Sequence, residues 1–352
     1  MAPFLKYAQR AWCHILLTTL PLSATTAAAV GTRMNSLNRQ AKQVPELLIT
    51  EAAGHRCWVF HHMVKSGGTT VKDLLHSFAE RSSTRGSAYA NAMWLKGVQG
   101  IRPAEQIFTS VDGIIYGGYA EALRPIRDSG NCRWFTIFRH PVPRLVSAFF
   151  YCKYMNRKDP LCAQDTIDLD TADLPSFAEH WGNYGLRQYA LGFLSNEEIL
   201  ASPFARECTN CPAWYIVKRH LQSLQQQTPT NATGVFSNAS PNDEYSLHAI
   251  LEPALKVISS RYTAVGILED MSTTMRLFDS ALGMNHFNWT VEILKFSAKN
   301  EDLERKSEEH AMLHEAWTNP AIIRFISLDL TLYEYATKIY AKQLELYGLD
   351  NV

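Results

Sequence analysis

Short apolar runs alternate with stretches of helical periodicity in the first half of the chain. The runs at 57–63, 114–116 and 133–138 contain aromatic and β-branched residues, as buried parallel strands do. Directly after the first run, apolar residues at i, i+3, i+4 and i+7 predict an amphipathic helix that ends near residue 80. The residues with this spacing are Val71, Leu74, Leu75 and Phe78.

A second helix is predicted after the third apolar run. Pro141 and Pro143 suit its first turn, and Leu145, Phe149 and Cys152 line one face. Strands and helices that alternate at this spacing indicate an α/β fold with a doubly wound parallel sheet. In such a sheet the ligand lies at the carboxyl ends of the strands.

The second half of the chain is predicted to be rich in helices, with one further strand. The expected helices are Ser176–Leu194, Trp214–Gln226, Ser246–Ser259, Met271–Leu282 and a C-terminal stretch over Pro320–Tyr347, and the strand is Tyr262–Ile267. The aromatic residues of the C-terminal stretch recur at helical spacing, which indicates core packing rather than a platform for stacking bases.

The junction of the first strand and first helix, Val59–Thr70, has the sequence VFHHMVKSGGTT. The first N–H groups of a helix and the positive end of its dipole attract anions, and Gly67 and Gly68 are expected to let an anion approach without side-chain hindrance. The junction therefore predicts a cradle for phosphate or sulfate. Lys65 precedes the glycines, whereas the lysine of a nucleoside-triphosphate P-loop follows them, and no GxxxxGK[ST] sequence occurs.

The N-terminal residues predict entry into the secretory pathway. Lys6 and Arg10 precede an apolar run without charged residues, and an A-x-A site lies at Ala27–Ala29. A cleaved signal peptide and a type II membrane anchor both fit this segment. We expect the leader or anchor at 1–32, a stem or linker at 33–55 and the folded domain at 56–350.

Glycosylation sites and one pair of cysteines indicate the same compartment. Three N-x-[ST] sites begin at Asn231, Asn238 and Asn288. Cys152 and Cys162 flank a short, turn-like segment and form the expected disulfide.

The other cysteines of the folded domain have less distinctive settings. Cys208 and Cys211 form a CTNC sequence that fits a thiol pair or half of a metal site, but no second CxxC and no suitable histidine cluster accompanies them. We therefore expect no metal site. Cys57 and Cys132 lie at or just before the start of a predicted strand and are expected to be buried free thiols.

Charge excludes one class of partner. Lys plus Arg and Asp plus Glu both number 34, so the formal net charge is zero. Any affinity for a polyanion must then come from local patches, and a dedicated nucleic-acid-binding protein is not expected. The sequence contains no repeats or heptad arrays, which excludes solenoids and coiled coils.

Two motifs together resemble those of the carbohydrate sulfotransferases that use 3′-phosphoadenosine 5′-phosphosulfate. The family's first loop is similar to HIPKTGGTT, and this chain has HHMVKSGGTT; the family's second motif is similar to RDPVERLVSAYYY, and this chain has RHPVPRLVSAFFY. The likeness is nearest to Golgi type II enzymes such as the heparan and uronyl 2-O-sulfotransferases. It extends over about residues 55–345, with specific motifs only in the first third, and implies a P-loop-like sulfotransferase fold.

The resemblance implies roles for individual residues. The loop from Lys65 to Thr70, comprising Lys65, Ser66, Gly67, Gly68, Thr69 and Thr70, would hold the 5′-phosphosulfate. Lys65 would face the leaving oxygen, because negative charge grows there during transfer. Arg139 and Ser147, in an Arg-x7-Ser spacing, would bind the 3′-phosphate. Arg144 has no clear role and could simply be exposed.

The general base is not specified by the motifs. The 2-O-sulfotransferases use a histidine in an HGH element, and the corresponding stretch here, YGGYAE at 116–121, contains none. Glu121 is the expected substitute, with Tyr119 orienting the acceptor, because a tyrosine with a pKa of about 10 is a poor base. His61, His62 and His140 lie near the motifs as weaker candidates, and His140 replaces the aspartate of the family's second motif.

A later stretch, LKFSAKN, is similar to a loop of the family that contacts nucleotide or acceptor. Lys295, Ser297 and Lys299 would be the contacting residues, although a run of lysines usually belongs to solvated surface.

The sequence therefore predicts a Golgi or secreted O-sulfotransferase that uses 3′-phosphoadenosine 5′-phosphosulfate as co-substrate. The expected acceptor is a hydroxyl of a glycan or polysaccharide, and contact with a membrane is expected only through the N-terminal segment. A non-catalytic protein that binds nucleotide or glycan and a P-loop-type kinase are the alternatives. A kinase would need the GxxxxGK[ST] loop that this sequence lacks.

Overall fold

The computed structural model describes residues 57–81, 88–91, 113–117, 132–155, 162, 167–193, 247–284, 289, 291 and 303–350. All of them belong to one compact unit, Glu51–Val352. The leader and stem predicted at 1–32 and 33–55, the three glycosylation sites and the helix predicted at Trp214–Gln226 lie outside the described residues.

A parallel sheet of five strands forms the centre of the described part of the chain. The strands are β1 (Cys57–His61), β2 (Ala88–Asn91), β3 (Gly113–Gly117), β4 (Cys132–Phe138) and β5 (Tyr262–Ile267), in the order β2-β3-β1-β4-β5. Four of these strands were predicted at their positions. β2 was missed because its sequence, AYAN, is short and lacks the apolar run that marks a buried strand.

The strand order creates a crevice between β1 and β4, which are neighbours at the centre of the sheet. After β1 the chain continues to β2, on one side of β1, and after β4 it continues to β5, on the other side. In open parallel sheets, a ligand site lies outside the carboxyl ends of two strands whose connections diverge in this way. The topology therefore predicts that the loops after His61 and Phe138 form the ligand site.

Helices pack against the sheet and supply most of the described residues of the second half. They are α1 (Gly68–Arg81), α2 (Pro141–Phe150) with a π-helical turn (Tyr151–Met155), α3 (Leu174–Trp181), α4 (Tyr184–Phe193), α5 (Leu247–Arg261), a 3-10 turn (Leu268–Asp270), α6 (Met271–Leu282), α7 (Leu303–Thr318), α8 (Pro320–Phe325) and α9 (Ser327–Leu346). The predicted α/β fold with a parallel sheet is confirmed.

Two predicted helices are each divided in two. The break between α3 and α4 falls at Gly182, where a Cβ would lie 2.3 Å from the carbonyl oxygen of Phe325, and at Asn183, which has φ +52°. Pro320–Tyr347 is interrupted at Ile326, a buried residue between α8 and α9. α7 was not predicted, because most of its described side chains are exposed and show no apolar stripe.

The N-termini of α4 and α9 cap each other around a buried ion pair. Asp329 in α9 accepts hydrogen bonds from the N–H groups of Gly185 (3.0 Å) and Leu186 (2.7 Å), and Asn183 Oδ1 accepts one from the N–H of Asp329 (3.1 Å). The guanidinium of Arg144 in α2 pairs with the Asp329 carboxylate, and both side chains are buried. Arg144 is therefore not exposed, and it ties α2 to the helices of the second half.

The structure confirms one prediction about the cysteines and contradicts another. Cys152 and Cys162 form the expected disulfide. Cys132 is also disulfide-bonded, so the prediction of a buried free thiol at this position is wrong. In the register of β1 and β4, Cys57 stands opposite Cys132. Cys208 and Cys211 lie outside the described residues.

None of the described helices is both long enough and apolar enough to span a membrane.

Candidate functional site

The loop after β1 turns sharply through two residues in the left-handed region. Lys65 has φ +62° and Gly67 has φ +75°. The N–H of Ser66 donates to Met63 O (3.3 Å), and α1 begins directly afterwards. Because the first N–H groups of a helix have no partner within the helix, those at the start of α1 are available to an anion. Thr69 is exposed here, and Thr70 is partly exposed.

The two glycines of this loop are required by close packing. A Cβ at Gly68 would lie 1.8 Å from His62 Cδ2, and a Cβ at Gly67 would lie 2.6 Å from Leu268 Cδ1. The sequence was interpreted as leaving these positions open for an anion, but the Cβ positions face protein atoms. Any anion at this loop therefore approaches the backbone from another side.

Arg139 joins the second motif to this loop. It follows β4, and its Nη1 donates a hydrogen bond to the carbonyl oxygen of Lys65 at 3.2 Å. β1 and β4 are neighbours, so the contact lies at the crevice that the strand order creates. Two residues that are 74 positions apart in sequence are thus brought together where a ligand site is expected.

Carboxylates and burial act in opposite directions on the Arg139 guanidinium. Burial lowers its pKa, whereas Glu269 and Glu309 favour the charged form and Arg144 disfavours it. An arginine stays protonated in proteins, so Arg139 supplies a fixed positive charge at the crevice.

The Lys65 side chain extends toward the end of α2. Its Nζ lies 4.5 Å from the ring centroid of Tyr151. Ser147 is one helical turn before Tyr151, and residues at i and i+4 share a face of a helix. The partly exposed Ser147 therefore lies on the side of α2 that faces the Lys65 loop.

His61 and His62 are neutral at physiological pH. Burial lowers the pKa of His61 to about 3, and its Nδ1 is hydrogen-bonded to the Tyr262 hydroxyl at 2.7 Å. Burial, followed by the charges of Lys72 and Lys65, lowers the pKa of His62 to about 4. A general base works best with a pKa near the working pH, so neither histidine suits that role.

His140 caps the helix that carries the second motif. Its Nδ1 accepts a hydrogen bond from the N–H of Val142 (3.3 Å), which places the proton of the neutral ring on Nε2. Burial and then Arg144 lower the His140 pKa to about 4. The ring contacts Trp317 and Tyr333, with centroids at 4.5 and 5.0 Å. His140 is therefore the N-cap of α2.

Glu269 links this cap to β5 and α9. Its carboxylate accepts hydrogen bonds from the N–H of His140 (2.8 Å) and the hydroxyl of Tyr333 (3.2 Å). The sequence interpretation missed Glu269 and Tyr151 at the site. Tyr151 could have been suspected because it ends the second motif, whereas no local signal marked Glu269.

No protein-family model matches the chain. No curated protein matches it either.

Several predicted site residues cannot be placed beside this loop. Tyr119, Glu121, Lys295, Ser297 and Lys299 lie outside the described residues. Among the residues that are described, no group of three or more His, Cys, Asp or Glu side chains could hold a metal ion.

Proposed function

We propose that this protein is a sulfotransferase that moves a sulfuryl group from 3′-phosphoadenosine 5′-phosphosulfate to a hydroxyl of a glycan. The observation that carries the proposal is the hydrogen bond from Arg139 to the Lys65 carbonyl. It joins two separate motifs at the carboxyl ends of β1 and β4, where the strand order predicts a ligand site. The resemblance of both motifs to the carbohydrate sulfotransferases supplies the chemistry.

In the proposed reaction the acceptor oxygen forms a bond to sulfur while the bond from sulfur to the bridging phosphate oxygen breaks. Negative charge grows on that bridging oxygen, and adenosine 3′,5′-bisphosphate leaves. The Lys65 ammonium is the group that would stabilise this charge. The N–H groups at the start of α1, with Ser66, Thr69 and Thr70, would surround the 5′-phosphosulfate, and Arg139 and Ser147 would bind the 3′-phosphate.

The proton of the acceptor hydroxyl must go to a base. The lowered pKa values of His61, His62 and His140 make these histidines unsuitable near neutral pH. Glu121 remains the proposed base, with Tyr119 orienting the acceptor.

We also propose that the protein acts in the secretory pathway, in the Golgi lumen or after secretion. The predicted leader or anchor and the glycosylation sites support this location. The Cys152–Cys162 disulfide supports it as well, because disulfides persist in oxidising compartments. The neutral net charge fits a glycan acceptor bound by a local patch better than a polyanion bound over the whole surface.

The direct test offers purified protein ³⁵S-labelled donor together with a panel of desulfated polysaccharides, simple sugars and tyrosine peptides. We expect label on a carbohydrate hydroxyl, and a loss of at least 100-fold in Lys65→Ala, the scale of removing one group that stabilises transition-state charge. Lys256→Ala, which changes an exposed lysine of α5, is the matched control. Folded wild-type protein that neither binds donor nor labels any acceptor would contradict the proposal.

Donor binding without transfer would instead favour the non-catalytic alternative. In that case Glu121→Gln should change neither donor binding nor the absence of transfer, because Glu121 would not act as a base.

A further inference from the structure

We propose that Tyr151 is a positioning residue that holds the Lys65 ammonium over its ring for sulfuryl transfer. The inference rests on the proposed function, because it assigns a role within the same site. Tyr151 ends the second motif, and neither the sequence interpretation nor the proposed donor site gave it a role.

The contact joins the two sides of the crevice. Lys65 Nζ lies 4.5 Å from the centroid of the Tyr151 ring, within the distance of about 6 Å at which a cation is attracted to the face of an aromatic ring. Lys65 follows β1, whereas Tyr151 follows α2 on the β4 side. The backbone of Lys65 is held from the same side by Arg139. Carbonyl and ammonium of one lysine are therefore both fixed by the second motif.

The local structure around Tyr151 is built to hold its ring in place. Tyr151 begins the π-helical turn Tyr151–Met155. Single π-helical turns are rare in proteins, and many of those that occur lie at functional sites. The next residue, Cys152, is buried and disulfide-bonded to Cys162. Lys153 Nζ donates to the carbonyl of Ala172 at 3.3 Å. The turn is thus anchored on both of the residues that follow Tyr151.

A lysine needs such an anchor more than an arginine would. Its ammonium is a compact charge on a flexible stem of four carbons, and free rotation would spread it over many positions. Pre-organising the ammonium lowers the entropy that must be lost when it meets the leaving oxygen. A ring face attracts the cation without competing for a proton, so the ammonium stays charged.

The test compares kcat for sulfuryl transfer and donor KM in full-length wild type, Tyr151→Leu and Tyr151→Phe. We expect Tyr151→Leu to lower kcat about 5- to 30-fold, which corresponds to about 1–2 kcal/mol, with a smaller change in donor KM. Tyr151→Phe keeps the ring face and should stay close to wild type. Tyr154→Leu is the matched control, since it removes an exposed aromatic ring from the same turn and should leave transfer unchanged.

A series of fluorinated phenylalanines at position 151 separates ring electrostatics from shape. Each added fluorine weakens the negative ring face while it changes the ring volume little, so log kcat should fall stepwise from phenylalanine to trifluorophenylalanine. A merely structural role would give a flat series. This measurement decides the matter even where Tyr151→Leu fails to fold.

Failure of this inference can be told apart from failure of the proposed function. Wild-type transfer with a flat fluorine series, or with Tyr151→Leu as active as wild type, overturns the positioning role and leaves the function standing. Wild-type protein that transfers no label and binds no donor contradicts the function, and the positioning role is overturned with it.

Discussion

The buried pair of Arg144 and Asp329 gives the sharpest prediction about stability. We consider Asp329→Asn, which removes the charge and keeps one of the two carboxylate oxygens that accept hydrogen bonds from the N–H groups of Gly185 and Leu186. Arg144 is only 4 % exposed and would be left as a buried charge without its counter-ion. Breaking a buried pair in this way costs about 3–5 kcal/mol. That is a large part of the roughly 5–15 kcal/mol by which a typical domain is stable.

A second substitution shows whether the cost comes from the stranded charge. Arg144→Met leaves Asp329 with its two N–H donors at a helix N-terminus, where negative charge is stabilised. We expect this variant to lose less than Asp329→Asn. In the double variant, Asp329→Asn with Arg144→Met, no buried charge remains without a partner. Its loss of unfolding free energy should therefore be about 1–3 kcal/mol smaller than the sum of the losses in the two single variants.

The assay is urea unfolding followed by circular dichroism. Asp173→Asn is the matched control, because Asp173 also caps a helix, through the N–H of Ser176 at 2.8 Å, but is exposed. Asparagine and aspartate cap almost equally well, so the control should change stability by less than about 0.5 kcal/mol. If Asp329→Asn lowers the free energy of unfolding by no more than Asp173→Asn does, the Arg144 charge is not left unpaired in a buried site.

Three further predictions concern the loop after β1 and the buried His61 that precedes it. Lys65→Gly should be more stable to urea than Lys65→Ala by about 1 kcal/mol, because glycine tolerates the left-handed φ of +62°; equal stability would contradict that backbone conformation. Gly68→Ala should destabilise the fold by about 1–3 kcal/mol because its Cβ meets the His62 ring, and His62→Ala in the same chain should recover most of the loss; additive losses would refute the contact. The pKa of His61 is about 3 in the folded state and 6.5 in an unstructured chain, so the unfolded protein binds the proton first and stability falls as the pH drops below about 6.5. By pH 5 this loss reaches about 2 kcal/mol, and His61→Gln should remove it; an unchanged pH profile would contradict the burial of His61.

The strands could be predicted where an apolar run is followed by the signals of a helix start. β5 and α6 lie where the patterns placed them, and β4 differs by a single residue. Long-range contacts explain the exceptions. The break between α3 and α4 depends on the approach of Phe325 to Gly182, and these residues are far apart in sequence. α7 has no apolar stripe, so packing on α2 and not its own pattern sets its place.

The two motifs of the site could be predicted from the sequence, but the contacts between them could not. Strand order decides that the loops after β1 and β4 meet, and it cannot be inferred from either loop alone. The contact of Lys65 with Tyr151 arises from a π-helical turn that no local signal in the sequence marks. The glycine interpretation failed for a similar reason, because Leu268 reaches Gly67 from a distant part of the chain.

The most direct measurement is calorimetric titration of the full-length protein with adenosine 3′,5′-bisphosphate, the product nucleotide that would occupy the proposed donor site. We expect one site per chain, with affinity weakened at least 10-fold by Arg139→Met, since charged hydrogen bonds to phosphate contribute about 1.5–3 kcal/mol each. Arg133→Met is the matched control, because Arg133 also donates to a carbonyl, Leu282 O at 2.8 Å, but from the opposite end of β4. Absence of binding, or equal binding by all three proteins, would contradict a nucleotide site at the junction of Lys65 and Arg139.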